Sequence, residues 1–219
     1  MFEQELKSQI KKTGTTTIGV VCKEGIVLAA DKRATSDHFI AHRKVDKIHN
    51  ITDNVAVTTA GLVSDIQLII KLTRAELKLK QIRTGTKPSV KEVSSLFSTI
   101  LYHNIRKFSP FIGVAAFIIG GVDGKGYWLY DASPDGAVLQ YDDFVATGSG
   151  SVIAYGVLES TYKKDMSLKD TIKLCTRSLN AALQRDSASG SGIDIVTITQ
   201  DGIKKVYEEE IRETVKAAA

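Results

Sequence analysis

Three residues of this chain are spaced so that they could do chemistry together. Thr15 opens the run Gly14-Thr15-Thr16-Thr17, and Asp31 and Lys47 follow it by 16 and 32 residues. A threonine hydroxyl is a poor nucleophile until a base takes its proton. If the chain is cut after Gly14, the new α-amine of Thr15, with a pKa of about 7.7–8.0, can be that base, so one residue carries both roles. A lysine ammonium beside the threonine would lower the pKa of amine and hydroxyl, and an aspartate would hold the lysine in place. The plainer alternative is a surface ion pair behind a β-branched strand start, and spacing alone leaves both readings open.

Other hydrolytic and nucleotide signatures are missing. There is no Gly-x-Ser-x-Gly elbow, and His38, His42, His49 and His103 all precede the Gly/Ser-rich loops, the reverse of the order in an α/β-hydrolase. His-Glu-x-x-His and Cys-x-x-Cys are absent, and Gly148-Ser149-Gly150-Ser151 lacks the Lys-Ser/Thr of a phosphate loop. No metal or organic cofactor is expected. Cys22 and Cys175 lie in apolar patterns and read as buried reduced thiols.

Residues 1–14 are polar and read as a mobile leader, with acids where a secretory signal would carry basic charge. Of the 219 residues 43% are hydrophobic and 25% charged, which suits one domain over 15–219. Basic and acidic residues number 29 and 25 and are interspersed, so no nucleic-acid partner is expected. The apolar stretch from Phe111 to Val122 is too short for a membrane-spanning helix, and a cytoplasmic location follows.

The elements that must position the three residues are legible as periodicities. Strands are predicted from Thr15 to Cys22, Ile26 to Ala30, Lys47 to Ile51 and Val55 to Ala60, then near 113–122, 126–131, 136–141, Ile193 to Thr199 and Ile203 to Tyr207. Helices are predicted from Leu62, through Val90 to Leu101, and near 151–163 and 168–186. That order predicts an α+β fold, a four-layer αββα sandwich of two antiparallel sheets flanked by helices.

Seven blocks then make the reading specific. They are Gly14-Thr15-Thr16-Thr17-Ile18-Gly19, Ala30-Asp31-Lys32-Arg33, Lys47, Thr59-Ala60-Gly61-Leu62-Val63, Thr147 to Ser151, Tyr155-Gly156-Val157-Leu158-Glu159 and Gln184 to Gly190. In order and spacing the chain resembles proteasome β subunits of the archaeal type, which are N-terminal-nucleophile threonine proteases. The resemblance implies that Thr15 is the nucleophile, freed by self-cleavage between Gly14 and Thr15, with Asp31 and Lys47 completing its charged cluster. It further implies that Ser149, Asp186 and Ser189 support the threonine amine, that the Gly61 N–H stabilises the oxyanion, and that Arg33 helps to hold Asp31.

By the same resemblance Ala34, Val45, His49, Thr59, Val63 and Gln67 line the pocket for the residue before the scissile bond, which should favour apolar side chains. The implied partners are other β subunits in a heptameric ring, α subunits, and unfolded polypeptides delivered by a regulatory ATPase. Two rival readings stand beside it: a non-catalytic ring subunit, and the related bacterial-type threonine protease or amidase. The presence of Thr15, Asp31 and Lys47 together speaks against the first, and the Tyr155–Glu159 and Asp186–Gly190 blocks against the second.

Overall fold

The computed structural model describes residues 14–109 and 113–211; of the leader expected over residues 1–14, all but Gly14 lies outside them. Twelve strands and four helices are formed among the described residues. The strands are β1 (Thr16–Cys22), β2 (Gly25–Asp31), β3 (Ala34–Ser36), β4 (Phe39–His42), β5 (Ile48–Thr52), β6 (Val55–Gly61), β7 (Ala115–Asp123), β8 (Gly126–Ala132), β9 (Val138–Tyr141), β10 (Phe144–Gly148), β11 (Gly192–Thr199) and β12 (Gly202–Glu210). The helices are α1 (Val63–Thr84), α2 (Val90–Arg106), α3 (Ser151–Thr161) and α4 (Leu168–Leu183).

Two five-stranded antiparallel sheets result, ordered β10-β1-β2-β11-β12 and β5-β6-β7-β8-β9. Ile26, Leu28, Ile118, Leu129 and Val145 fill the gap between them. Helices α1 and α2 cover the outer face of the second sheet through Ile69, Leu77, Val93 and Phe97. Helices α3 and α4 cover the first through Leu158, Leu174 and Leu179, packed on Ile18, Val20 and Val27. The expected four-layer sandwich is therefore present.

Helix ends follow local chemistry. Ser89 and Glu92 form a reciprocal capping box at the start of α2, and Gly85 ends α1 in the left-handed region. Two strand features escape the periodicity. The β3–β4 hairpin is largely exposed, so it lacks an alternating apolar face, and β10 is five residues between glycine-rich and acidic turns. Strand β9 begins at Val138 rather than at 136, because Gly136 belongs to a turn in which its N–H donates to the Ser133 carbonyl.

Cys22 and Cys175 are buried free thiols, and burial pushes both upward in pKa. Among the described residues no helix is long and apolar enough to cross a membrane.

Candidate active site

Strand β1 carries Thr15 at its upstream end. Successive side chains alternate between faces, so Ile18 and Val20 sink beneath the helices while Thr15 and Thr17 turn the other way, toward the second sheet. Both apolar residues are fully buried, and each contributes about 1.5–3 kcal/mol. The candidate nucleophile is thus fixed by a strand anchored elsewhere. Strand β2 runs antiparallel, pairing Thr17 with Ala30, which returns Asp31 to the beginning of β1. Lys47 arrives from the other sheet, immediately before β5.

These elements bring the three predicted residues into contact. The Lys47 ammonium donates to Thr15 Oγ1 at 3.0 Å and to Asp31 Oδ1 at 2.7 Å. All three are buried, with 7% exposure at Thr15, 1% at Asp31 and 4% at Lys47. Burial holds the Lys47 amine below the ordinary lysine range, while the Asp31 charge and hydrogen bond pull it the other way. The Asp31 carboxylate is further satisfied by N–H groups of Thr16 at 2.9 Å, Arg33 at 3.0 Å and Gly190 at 2.9 Å. A lysine so placed stabilises negative charge as it develops on the threonine oxygen.

A second layer surrounds the Thr15 nitrogen. Its N–H donates to Ser149 Oγ at 3.2 Å, and Ser149 and Ser189 each donate to Asp186 Oδ2 at 2.6 Å. With its proton committed to Asp186, Ser189 accepts from the Thr16 hydroxyl at 2.7 Å. Asp186 stands two residues beyond the end cap of α4 at Gln184, so it ties the two serine loops together rather than capping that helix.

Arg33 contacts Asp31 through its backbone N–H rather than its guanidinium. The side chain instead donates to the Ser187 carbonyl at 3.0 Å and to Ser191 Oγ at 3.4 Å. The physical reason is that Asp31 already receives four donors, so the guanidinium clamps the 187–191 loop.

Gly61 ends β6, pairs with Ala115 and has φ of +124°. A Cβ there would come within 2.2 Å of the Val114 carbonyl oxygen, so only glycine fits this strand-to-helix turn.

The six residues expected to line a pocket are more dispersed. Thr59 is buried, and both its N–H and its hydroxyl donate to the Lys47 carbonyl, at 2.9 and 3.3 Å. The Val45 N–H donates to the Lys32 carbonyl at 3.0 Å, and Ala34 opens β3. Val63 and Gln67 stand exposed, four residues apart on α1. His49 lines a cavity of about 400 Å³ together with Asp46 and Arg74. Burial, then the Arg74 charge, holds it below the ordinary imidazole range against the opposing pull of Asp46.

Several participants carry no obvious sequence signal. The Gly14 N–H donates to Thr35 Oγ1 at 2.9 Å, and Gly14 packs against Ala188. Next to Asp31, the buried Lys32 reaches Asp194 at 3.2 Å and Glu208 at 2.5 Å, with Lys205 bridging both acids at 3.0 Å. Among the described residues no three His, Cys, Asp or Glu side chains are arranged to hold a metal ion.

Comparison with known proteins adds an independent line. The family model described as proteasome subunit matches residues 11–198. "Proteasome subunit beta" of Archaeoglobus profundus is 45% identical over 207 residues, 94% of this chain and 94% of that protein. Its counterpart in Ferroglobus placidus is 46% identical over 90% of this chain and 92% of its own length. The protein of the same name from Methanothrix thermoacetophila is 43% identical over 93% and 97%.

Proposed function

The chain belongs to the proteasome family, and on that premise we propose that it is a catalytic β subunit of the 20S core, a threonine endopeptidase with Thr15 as nucleophile. The observation that carries this reading is the Lys47 ammonium held between Thr15 Oγ1 and Asp31 at the start of the first strand.

In this reading residues 1–14 are a leader and 15–219 the single catalytic domain. While Gly14 is attached, the Thr15 nitrogen is an amide and cannot serve as base. The Thr15 oxygen attacks the Gly14 carbonyl carbon, the Gly14–Thr15 C–N bond breaks, and the leader passes to the hydroxyl as an ester. Water hydrolyses that ester and leaves a free amine. The amine then takes the Thr15 hydroxyl proton as the oxygen attacks a substrate carbonyl, with the Gly61 N–H donating to the oxyanion. Its proton passes to the departing amine of the substrate, and water releases the acyl group. Ser149, Asp186 and Ser189 keep the amine oriented throughout.

Residues Ala34, Val45, His49, Thr59, Val63 and Gln67 contribute to the pocket for the residue before the cut. Assembly with further β subunits and with α subunits, delivery of unfolded chains by an ATPase, and a cytoplasmic location complete the reading.

Intact-mass measurement after co-expression with an α partner tests it. The chain is expected to lose residues 1–14 and gain peptidase activity, whereas Thr15→Ala keeps the leader and stays inactive. Efficient peptide cleavage by Thr15→Ala would refute the assignment.

A further inference from the structure

Far from Thr15, a cavity of about 880 Å³ opens between the β7–β8 turn, the start of α2 and strand β8. Strand β7 leads there: it begins at Ala115, which pairs with Gly61, and ends eight residues later at Asp123 on the cavity wall. At about 3.3 Å per residue this separates the two ends of the strand by roughly 26 Å.

The cavity floor is aromatic. Trp128 and Tyr130 lie on one face of β8, with ring centroids 6.4 Å apart and planes inclined by 11°. The indole is fixed by its N–H, which donates to Asp123 Oδ1 at 2.9 Å. That carboxylate also accepts from the N–H groups of Lys125 at 2.9 Å and Val90 at 3.3 Å, so its acceptor capacity is largely spent inside the wall.

The rim is basic. Lys87, Lys91 and Lys125 line it, and all three are exposed. Lys87 stands 3.8 Å from Asp53, both well exposed, a pairing that solvent leaves weak. The helix terminus adds little, because Val90 and Glu92 already donate their N–H groups to Asp123 and Ser89. Three ammonium groups therefore face one occupied carboxylate, above a flat aromatic floor. Gln140 and Gln200 complete the walls with carboxamides, which can both donate to and accept from the edge of a heterocycle. The volume is that of a small-molecule site.

We propose that this cavity binds a small ligand in which a planar aromatic ring carries a phosphate, the chemical class of mononucleotides. The ring lies on Trp128 and the phosphate is held by the lysines.

Trp128 is the chain's only tryptophan, so its emission reports binding without a label. Adenosine monophosphate is titrated into the full chain at constant ionic strength, with adenosine and ribose 5-phosphate as half-ligands and calorimetry as a second readout. A saturable signal is expected, about ten-fold weaker for either half-ligand and for Lys91→Gln/Lys125→Gln, with the melting temperature of that variant unchanged. Three results would overturn the proposal: no saturation by either method up to about 10 mM, a half-ligand that binds as well as the whole, or lysine variants of undiminished affinity.

Discussion

The Thr15 hydroxyl donates to the carbonyl oxygen of Gly14 across 2.6 Å, and the same hydroxyl oxygen accepts from Lys47. In the proposed mechanism the nucleophile would therefore already be engaged, before maturation, with the peptide group it breaks. The Gly14 N–H donates to Thr35 Oγ1, which fixes the residue on the acyl side of the proposed cut.

Gly14 is expected to be intolerant of any side chain. A Cβ there would stand 1.8 Å from Ala188 Cβ and 3.0 Å from Ser149 Oγ. Gly14→Ala should slow leader removal by about 10²-fold, since displacement of about 1 Å costs that much in a positioned reaction. A chain expressed to begin directly at Thr15 should retain full peptidase activity. Time-resolved intact mass of the two forms separates processing from catalysis.

Lys47→Ala should lower kcat/KM by about 10²-fold or more. The variant should still fold, because Asp31 keeps three N–H donors and escapes the roughly 3–5 kcal/mol loss of an orphaned buried charge. A positive neighbour lowers the pKa of the terminal amine, so the acid limb of the wild-type rate profile should lie below about 7.7–8.0. In the variant's residual activity that limb should move up. An unmoved limb would show that Lys47 does not act on the amine.

Acid sensitivity should trace in part to Glu208. Hydrogen bonds from Lys32, then Lys205, hold its carboxyl down at about 2 from an ordinary 4.5. A carboxyl depressed on folding contributes stability that is present above its unfolded pKa and lost as pH falls through the folded one. The window runs from about 4.5 to about 2. Denaturant titrations across it should show a shallower loss of stability in Glu208→Gln than in wild type.

Cleavage should favour apolar residues before the scissile bond. Thr59 and Val45 are neutral, and His49 is held toward its uncharged form. A peptide series should give kcat/KM for leucine roughly ten-fold or more above that for lysine. Preference for lysine or arginine would remove these residues from the pocket.

Legibility in the sequence followed the strength of the local signal. The buried strands β1, β2, β6 and β7 and all four helices were readable, because alternation or a helical stripe repeats across them. The β3–β4 hairpin was not, although its Thr35 holds Gly14. At the site, Thr15, Asp31 and Lys47 were legible as chemistry, whereas Ser149, Asp186 and Ser189 needed family blocks, since glycine-rich loops have no period. At Gly14 the requirement is one of space, since there is no room for a side chain beside Ala188, and nothing in the sequence shows that neighbour.

Three identical side chains in a row open the first strand, and each has been given a different address. The hydroxyl of Thr15 meets Lys47, that of Thr16 meets Ser189, and that of Thr17 meets Thr147. A cut misplaced by one bond downstream would still leave a terminal threonine, yet one facing the helices and already spoken for. Under the proposed mechanism the molecule would thus proofread its own beginning: of three chemically equal candidates, pleat and pairing leave a single one beside Lys47.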